Sequence, residues 1–314
     1  MIIVTGGAGF IGSNLVRALN SRGERDILVV DDLTDGHKFT NLADCEIVDY
    51  WDKDLFQQRL RLGLTLRPRC IFHQGACSVT TEWDGRYMME TNYRFSTELL
   101  DYCLAQEIPL IYASSAAVYG ASGKFKEDPS AERPLNVYGY SKLLFDQYVR
   151  RRLSKKSSQV VGLRYFNVYG PGEAHKGAMA SIAWHLNRQI LDDGEAKLFE
   201  GSDGYDAGEQ RRDFIYVDDV VDVNFWFSDH PECSGIFNVG TGQASTFNDV
   251  ANAVIRSLGK GAISYIPFPG ALKESYQSFT EADIGALRTA GYEASFLDVR
   301  SGVSAYLNRL DAAK

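Results

Sequence analysis

The sequence predicts an α/β fold, a doubly wound parallel sheet with helices on both faces and a smaller α+β subdomain. Three observations predict it. Short β-branched runs alternate with helical patterns through the first half of the chain. A glycine-rich turn joins the first run to the first helix. After Asn167 the alternation loosens into Gly- and Pro-containing segments, which suit a second unit that interleaves with the first.

Ile2–Thr5 reads as the first strand, and the helix after it places Ile11, Leu15 and Leu19 on one face at four-residue spacing. Ile27–Val30, Glu46–Val48, Cys70–His73, Leu110–Ala113 and Val160–Arg164 read as further buried strands. Helical stretches about Met89–Gln106 and Tyr138–Arg152 lie between them, so the strands are expected to pair in parallel. Beyond them come the Gly/Pro stretch Tyr169–Gly172, a helix about Met179–Leu191 and the polar, Gly-rich Gly201–Gln210. Phe214–Val217 and Ile236–Val239 read as strands returning to the sheet or its neighbour, and Pro267–Gly270 marks a break before the C-terminal part.

Composition narrows the class. The 314 residues, 45% hydrophobic and 24% charged, suit one large α/β unit with a subdomain rather than a disordered or fibrous chain. No apolar run approaches a membrane span, and Met1–Gly6 has neither a basic leader region nor a cleavage site, so a cytoplasmic protein is expected. Five scattered cysteines without CxxC, and five histidines without HxxxH, predict neither a disulfide framework nor a metal site. A net charge of −8 argues against nucleic acid as a partner. A small anionic ligand would need local basic residues.

Gly6-Gly7-Ala8-Gly9-Phe10-Ile11-Gly12 follows a strand and opens a helix. Gly6, Gly9 and Gly12 allow a tight turn and close approach of backbone N–H groups to a pyrophosphate at the positive helix end. With the second strand ending in Asp31-Asp32, this reads as a Rossmann-type dinucleotide site rather than an ordinary turn. Asp31 stands where a carboxylate accepts from the adenosine ribose and repels a 2′-phosphate, which favours NAD. Lys38 could instead pair with that phosphate, so charge alone leaves NAD and NADP both open. The expected dinucleotide domain is 1–167 with a returning segment about 213–245, and 168–212 with 246–314 forms the substrate subdomain.

Tyr138 and Lys142 form YxxxK on one helix face. A nearby ammonium stabilises a phenolate, so such a tyrosine can exchange protons with a hydroxyl near neutral pH. Ser115, in Ala113–Gly120 after a predicted strand, could bond the same oxygen, and strand C-terminal ends are where such sites form. Tyr140 has the wrong phase and reads as packing or surface. Small residues in His73–Ser78 would let backbone approach a cofactor, and Asn92 on the next helix reads as a residue that bonds backbone.

GGxGxxG, SSxxVYG and YxxxK in this order resemble the extended short-chain dehydrogenase/reductase family of nucleotide-sugar enzymes. Within it, His73–Ser78 with Thr81–Gly85, Pro134–Lys142, Arg164–Pro171, His175-Lys176-Gly177, Leu198–Ser202 and Arg212-Asp213-Phe214 resemble the family of ADP-L-glycero-D-manno-heptose 6-epimerases. The resemblance runs from Met1 nearly to the C-terminus. It implies cofactor contacts at Phe10, Ile11, Asp31, Asp32, Lys38, Lys53, Gln74, Gly75, Ala76, Cys77, Ser78, Asn92, Tyr138, Lys142, Val168 and Lys176. It implies catalysis by Ser115, Tyr138 and Lys142, with Lys176 a second acid/base. An ADP-heptose substrate would be lined by Asn167, Ala178, His185, Phe199, Glu200, Gly201, Ser202, Arg212 and Tyr276. NADP, a homo-oligomer (a pentamer by the family's habit) and supply of heptose for the lipopolysaccharide core are also implied. Two departures stand out: Asp203–Arg211 is longer than the family pattern, and Ala178 replaces a serine.

A lone carbinol carbon has no neighbour to stabilise a carbanion, so inversion calls for transient oxidation and re-reduction. The two epimers present the hydroxyl on opposite sides, so two proton donors are expected, and Tyr138 and Lys176 are the pair. A 4,6-dehydratase would need an acidic pair just after the catalytic hydroxyl, where this chain has Ala116 and Ala117. A UDP-hexose 4-epimerase fits the fold but not the His175-Lys176-Gly177 segment. A cofactor-sensing regulator need not keep Ser115, Tyr138 and Lys142 together.

Overall fold

The computed structural model describes residues 1–154, 157–269 and 277–312. Seven parallel strands form the central sheet: β1 (Ile2–Thr5), β2 (Ile27–Asp31), β3 (Asp49–Asp52), β4 (Cys70–His73), β5 (Leu110–Ser115), β6 (Val160–Tyr165) and a late strand, Gly235–Val239. Their spatial order is β3-β2-β1-β4-β5-β6 and then the late strand. The order reverses between β1 and β4, the switch point where doubly wound sheets bind ligands.

Strand alternation builds a core on each face. Ile2 and Val4 pack on one side against Leu15, Val16 and Leu19 of helix α1 (Phe10–Ser21). Ile3 and Ile71 face the other way. There they meet helix α2 (Lys53–Arg61), α4 (Phe95–Gln106) and α5 (Val137–Leu153) through Phe56, Leu99, Leu100, Phe145 and Val149. Each such side chain, fully buried, contributes roughly 1.5–3 kcal/mol. A short α3 (Gly85–Met88) leads into α4 through a π-helical turn, Met89–Arg94.

The predicted strand Glu46–Val48 lies three residues further on, at Asp49–Asp52. This is the sheet edge, where Tyr50 and Trp51 supply the β-forming side chains and Asp49 and Asp52 face water. The helix expected from Met179 begins at Ile182, capped by the Ser181 hydroxyl. It is α6 (Ile182–Asp193).

The remaining strands are β7 (Asn167–Tyr169), β8 (Glu195–Phe199), β9 (Arg211–Arg212), β10 (Phe214–Tyr216), β12 (Ser245–Thr246) and β13 (Ala262–Ile266), which makes the late strand of the main sheet β11. They form three ribbons, β7–β10 and β8–β13 parallel and β9–β12 antiparallel. Both returning segments are strands, but only Ile236–Val239 joins the main sheet; Phe214–Tyr216 joins the neighbouring ribbon. Between them α7 (Val217–Asp229) packs beside α1 on the main sheet. Helices α6, α8 (Phe247–Leu258) and α10 (Val299–Ala312) enclose a second core built on Leu186, Ile190, Val250, Val254, Val303 and Tyr306. The short α9 (Gly285–Thr289) lies against β11. Among the described residues, no helix is long and apolar enough to cross a membrane.

Candidate active site

The glycine loop is built by close backbone approach. Gly6 has φ +68°, and a Cβ there would lie 2.6 Å from the Gly75 nitrogen. A Cβ on Gly12 would collide with the Gly6 carbonyl oxygen. Only hydrogen fits at these two places, so α1 starts directly over the loop and beside the Gln74–Gly75 backbone. Among the described residues no side chain caps α1 at Gly9. Its first N–H groups are left to a ligand, the arrangement that suits a dinucleotide pyrophosphate.

Asp31 is buried and engaged on both oxygens. It accepts from the Ala8 N–H at 2.7 Å and the Asp32 N–H at 2.6 Å, and it pairs with Lys38. Lys38 also donates to the Asp32 carbonyl at 2.8 Å. Lys53 lies 3.4 Å from Asp32, whose carboxyl is held low by its hydrogen bonds to Thr34 and then by that lysine. Lys53 also pairs with Asp54 at 3.0 Å, so two lysines and three acids cluster beside the end of β2. Charge logic alone set Asp31 and Lys38 against each other; in the fold they bind each other.

After β4, the Gln74 N–H bonds the Thr5 carbonyl at 2.9 Å and the Gly75 N–H bonds the Thr5 hydroxyl at 3.2 Å. Buried Asn92 grips Cys77 from both sides, accepting its N–H at 2.8 Å and donating to its carbonyl at 2.9 Å. The π-helical turn carries Asn92. Asn92 also donates to the Ser141 hydroxyl of α5 at 3.1 Å, so it ties the loop that carries Ala76 and exposed Ser78 to that helix.

Ser115 ends β5 and caps the next turn by accepting from the Ala117 N–H at 3.1 Å. Asn136 caps α5 by accepting from the Gly139 N–H at 2.8 Å, which sets Tyr138 in the first turn. Gly139 packs so tightly that a Cβ there would lie 2.6 Å from the Ala117 oxygen. Helix and strand end therefore meet, which brings the Ser115 hydroxyl beside the Tyr138 side chain. Burial pushes the Tyr138 hydroxyl up, while the neighbouring Ser115 hydroxyl pulls it back. One turn on, Lys142 is buried and donates to the Ala113 carbonyl at 2.8 Å. Burial pushes it down to about 8, against the opposing charges of Asp146 and Cys77. Tyr140 faces out and is exposed.

Lys176 arrives from another segment. Its ammonium lies 5.3 Å from the ring centroid of Phe10, the first residue of α1. Burial lowers its affinity for a proton, and Glu173 opposes this. Two residues that the sequence reading did not single out hold this segment in place. Buried Glu173 accepts from the Gly170 N–H at 3.2 Å and the Ser181 hydroxyl at 2.7 Å. Asn41 donates to the Ala8 and Gly172 carbonyls, both at 3.0 Å, and lies 3.2 Å from His175 Nδ1. Asn41 carries no spacing signal because it acts across long sequence gaps, whereas Glu173 acts within its own segment.

The expected sugar-side residues are more dispersed. Asn167 is exposed on β7, where the Thr280 hydroxyl reaches it at 3.4 Å, and Val168 beside it is half-buried. Phe199 ends β8 with its ring against Phe268, and the Phe199 carbonyl accepts from the Gly208 N–H at 3.1 Å. Glu200 and Gly201 are exposed, and the Ser202 hydroxyl is bonded by Gln210 at 3.1 Å. Arg212 is buried in β9, next to Asp213, which accepts from Thr241, Gly242 and Ala282 N–H groups. Ala178 is exposed, and His185 sits on α6 with its ring against Trp184. Tyr276 lies outside the described residues. Among the described residues, no group of three or more His, Cys, Asp or Glu is placed to hold a metal.

Residues 2–240 match the model of the NAD dependent epimerase/dehydratase family. The ADP-L-glycero-D-manno-heptose-6-epimerase of Alkalilimnicola ehrlichii is 60% identical over 309 residues, which cover 98% of this chain and 97% of the relative. Among solved structures, the Helicobacter pylori ADP-L-glycero-D-manno-heptose-6-epimerase superposes with a TM-score of 0.87 at 33% identity, covering 99% and 96% of the two chains. A Thermus thermophilus UDP-glucose 4-epimerase in complex with NAD reaches a TM-score of 0.80 at 27% identity, covering 100% and 99%.

Proposed function

Because the chain belongs to the NAD dependent epimerase/dehydratase family, we propose that it inverts C6 of an ADP-linked heptose. The reaction interconverts ADP-D-glycero-β-D-manno-heptose and ADP-L-glycero-β-D-manno-heptose. The observation that carries this reading is the meeting of Ser115, at the end of β5, with Tyr138 one helical turn from buried Lys142, while a separate segment brings a second amine, Lys176, to Phe10. The name of the 60% identical relative supports the choice of sugar.

The glycine loop and the uncapped start of α1 would hold the cofactor's pyrophosphate, and the Asp31–Lys38 and Asp32–Lys53 pairs its adenosine ribose. When bound, a nicotinamide would supply reversible hydride transfer at C6, on either face of the carbon. The chain's own groups handle the proton and the oxygen. Tyr138 accepts the hydroxyl proton from one epimer, and Ser115 bonds the same oxygen. Lys142, as a cation, favours the phenolate that Tyr138 needs for this. Once the ketone has turned about its exocyclic bond, Lys176 supplies the proton for the new hydroxyl. Its lowered proton affinity suits it to give up that proton.

The reading extends to NADP. Lys38 pairs with Asp31, and Lys53 with Asp32 and Asp54, so a 2′-phosphate would meet ammonium groups as well as carboxylates. The enzyme would then act in the cytoplasm, as a homo-oligomer, on the heptose precursor of a lipopolysaccharide core. Incubation of purified protein and NADP with ADP-D-glycero-β-D-manno-heptose, followed by NMR at C6, tests the activity. The L-glycero signal should grow to an equilibrium mixture while a parallel UDP-glucose sample stays unchanged. No inversion, or epimerisation of UDP-glucose alone, would overturn the reading.

A further inference from the structure

Helix α5 meets strand β5 at three successive levels. Tyr138 stands beside Ser115, and Lys142 donates to the Ala113 carbonyl at 2.8 Å. One turn further along, Asp146 accepts from the Tyr112 hydroxyl on one oxygen and from the Ser114 hydroxyl on the other, both at 2.9 Å. Strand alternation puts Tyr112 and Ser114 on one face of β5, so a residue four positions past Lys142 can reach both. Asp146 is fully buried, as is Arg164 of β6, whose Nε donates to it at 2.9 Å. Ser114 and Arg164 are partners in the β5–β6 register, and Glu132 pairs with Arg164 and Arg150 behind them. An apolar residue of similar volume commonly stabilises such a position as well as or better than a buried ion pair. The acid therefore calls for a reason beyond packing.

We propose that Asp146 is a positioning residue for this site: it fixes the register of α5 on β5, which brings Tyr138 to Ser115, and supplies the negative charge that keeps Lys142 cationic. The inference rests on the reading of Ser115, Tyr138 and Lys142 given above. Lys142 faces Asp146 on its own helix, Cys77 from the loop after β4, and His73 from β4. His73 is neutral near pH 7, because burial pushes it down to about 3. Around Asp146 itself stand Arg164, Arg150, Tyr112 and, through Arg164, Glu132 and Tyr119. Burial drives Lys142 towards its neutral form, and Asp146 is the larger of the opposing charges.

Lysine-selective NMR titration of the cofactor-loaded protein, with epimerisation kinetics on the same samples, tests this. In Asp146→Asn the Lys142 midpoint should fall by about one pH unit, and kcat by about tenfold. KM for the sugar nucleotide should hold, and the alkaline limb of kcat should move to lower pH. Ser114→Ala keeps the charge but loosens one of the three levels, so kcat should drop severalfold while the Lys142 midpoint stays put. A folded Asp146→Asn with the wild-type Lys142 midpoint overturns the proposal. If Asp146→Asn does not fold, a wild-type kcat in Ser114→Ala overturns it instead. Should the wild-type chain fail to epimerise while the Lys142 midpoint still falls in Asp146→Asn, the functional reading fails and the electrostatic role of Asp146 stands.

Discussion

Gly12→Ala would put a methyl group where α1 crosses the glycine loop. The new Cβ would collide with the Gly6 carbonyl oxygen and lie 2.7 Å from its carbon. Both obstacles are backbone, fixed by the 2.7 Å bond from the Gly6 N–H to Val30, so neither swings aside as a side chain would. Helix α1 must lift, and its first N–H groups lift with it. Hydrogen bonds of 2.7–3.2 Å do not survive a shift of about 1 Å. Overpacking costs about 1–3 kcal/mol, and losing a hydrogen bond to a charged group adds about 1.5–3 kcal/mol. Together they predict cofactor binding weaker by at least about fiftyfold, at about 1.4 kcal/mol per tenfold. Gly9→Ala is the internal comparison, because its Cβ would meet the same oxygen at 3.1 Å and needs only a small adjustment. The assay is fluorescence titration of the cofactor into stripped protein, with urea unfolding to separate loss of fold from loss of binding. Equal affinities for folded Gly12→Ala and Gly9→Ala would refute the steric reasoning.

Other expectations follow from the same geometry. Lys38→Ala should lower NADP affinity about tenfold or more relative to NAD, measured as a ratio of dissociation constants; an unchanged ratio would remove Lys38 from phosphate recognition. His73 is neutral in the folded chain, with its titration pushed from 6.5 to about 3 by burial and then by Lys142. Its stabilising contribution is complete above about pH 6.5 and is lost as pH falls towards 3, by up to about 1.4 kcal/mol per pH unit. Urea unfolding between pH 7 and about pH 4.5 measures that slope, and His73→Gln should flatten it; an identical slope in the variant contradicts the assignment. Tyr138→Phe combined with Lys176→Met should abolish epimerisation while the cofactor stays bound by absorbance. Appreciable turnover in that double variant would mean another group moves the protons.

The main sheet was legible because its strands are buried on both faces, which leaves unbroken apolar runs such as Ile2–Val4, Ile27–Val30 and Leu110–Tyr112. The edge strand was misplaced by three residues because it lacks that signal and depends on Tyr50 and Trp51 instead. Motif spacing located the glycine loop, Ser115, Tyr138 and Lys142, since each relation is local or tied to a strand end. The anchors were not legible. Asn41 reaches Ala8 and Gly172 across 33 and 131 residues, and Asp146 meets Arg164 only through the pairing of β6 with β5. Such contacts depend on tertiary register, which no window of the sequence contains. Asp146 did leave one readable trace, a carboxylate four residues past Lys142 on the same helix.

Inversion by transient oxidation requires a hydride that leaves C6 and returns to the same carbon. Substrate carrying deuterium at C6, turned over in ordinary water with NADP-loaded protein, tests this most directly. Mass spectrometry and NMR of the L-glycero product should show deuterium still at C6. Inverted product that has exchanged it for solvent hydrogen would contradict the transient oxidation and point to deprotonation at carbon.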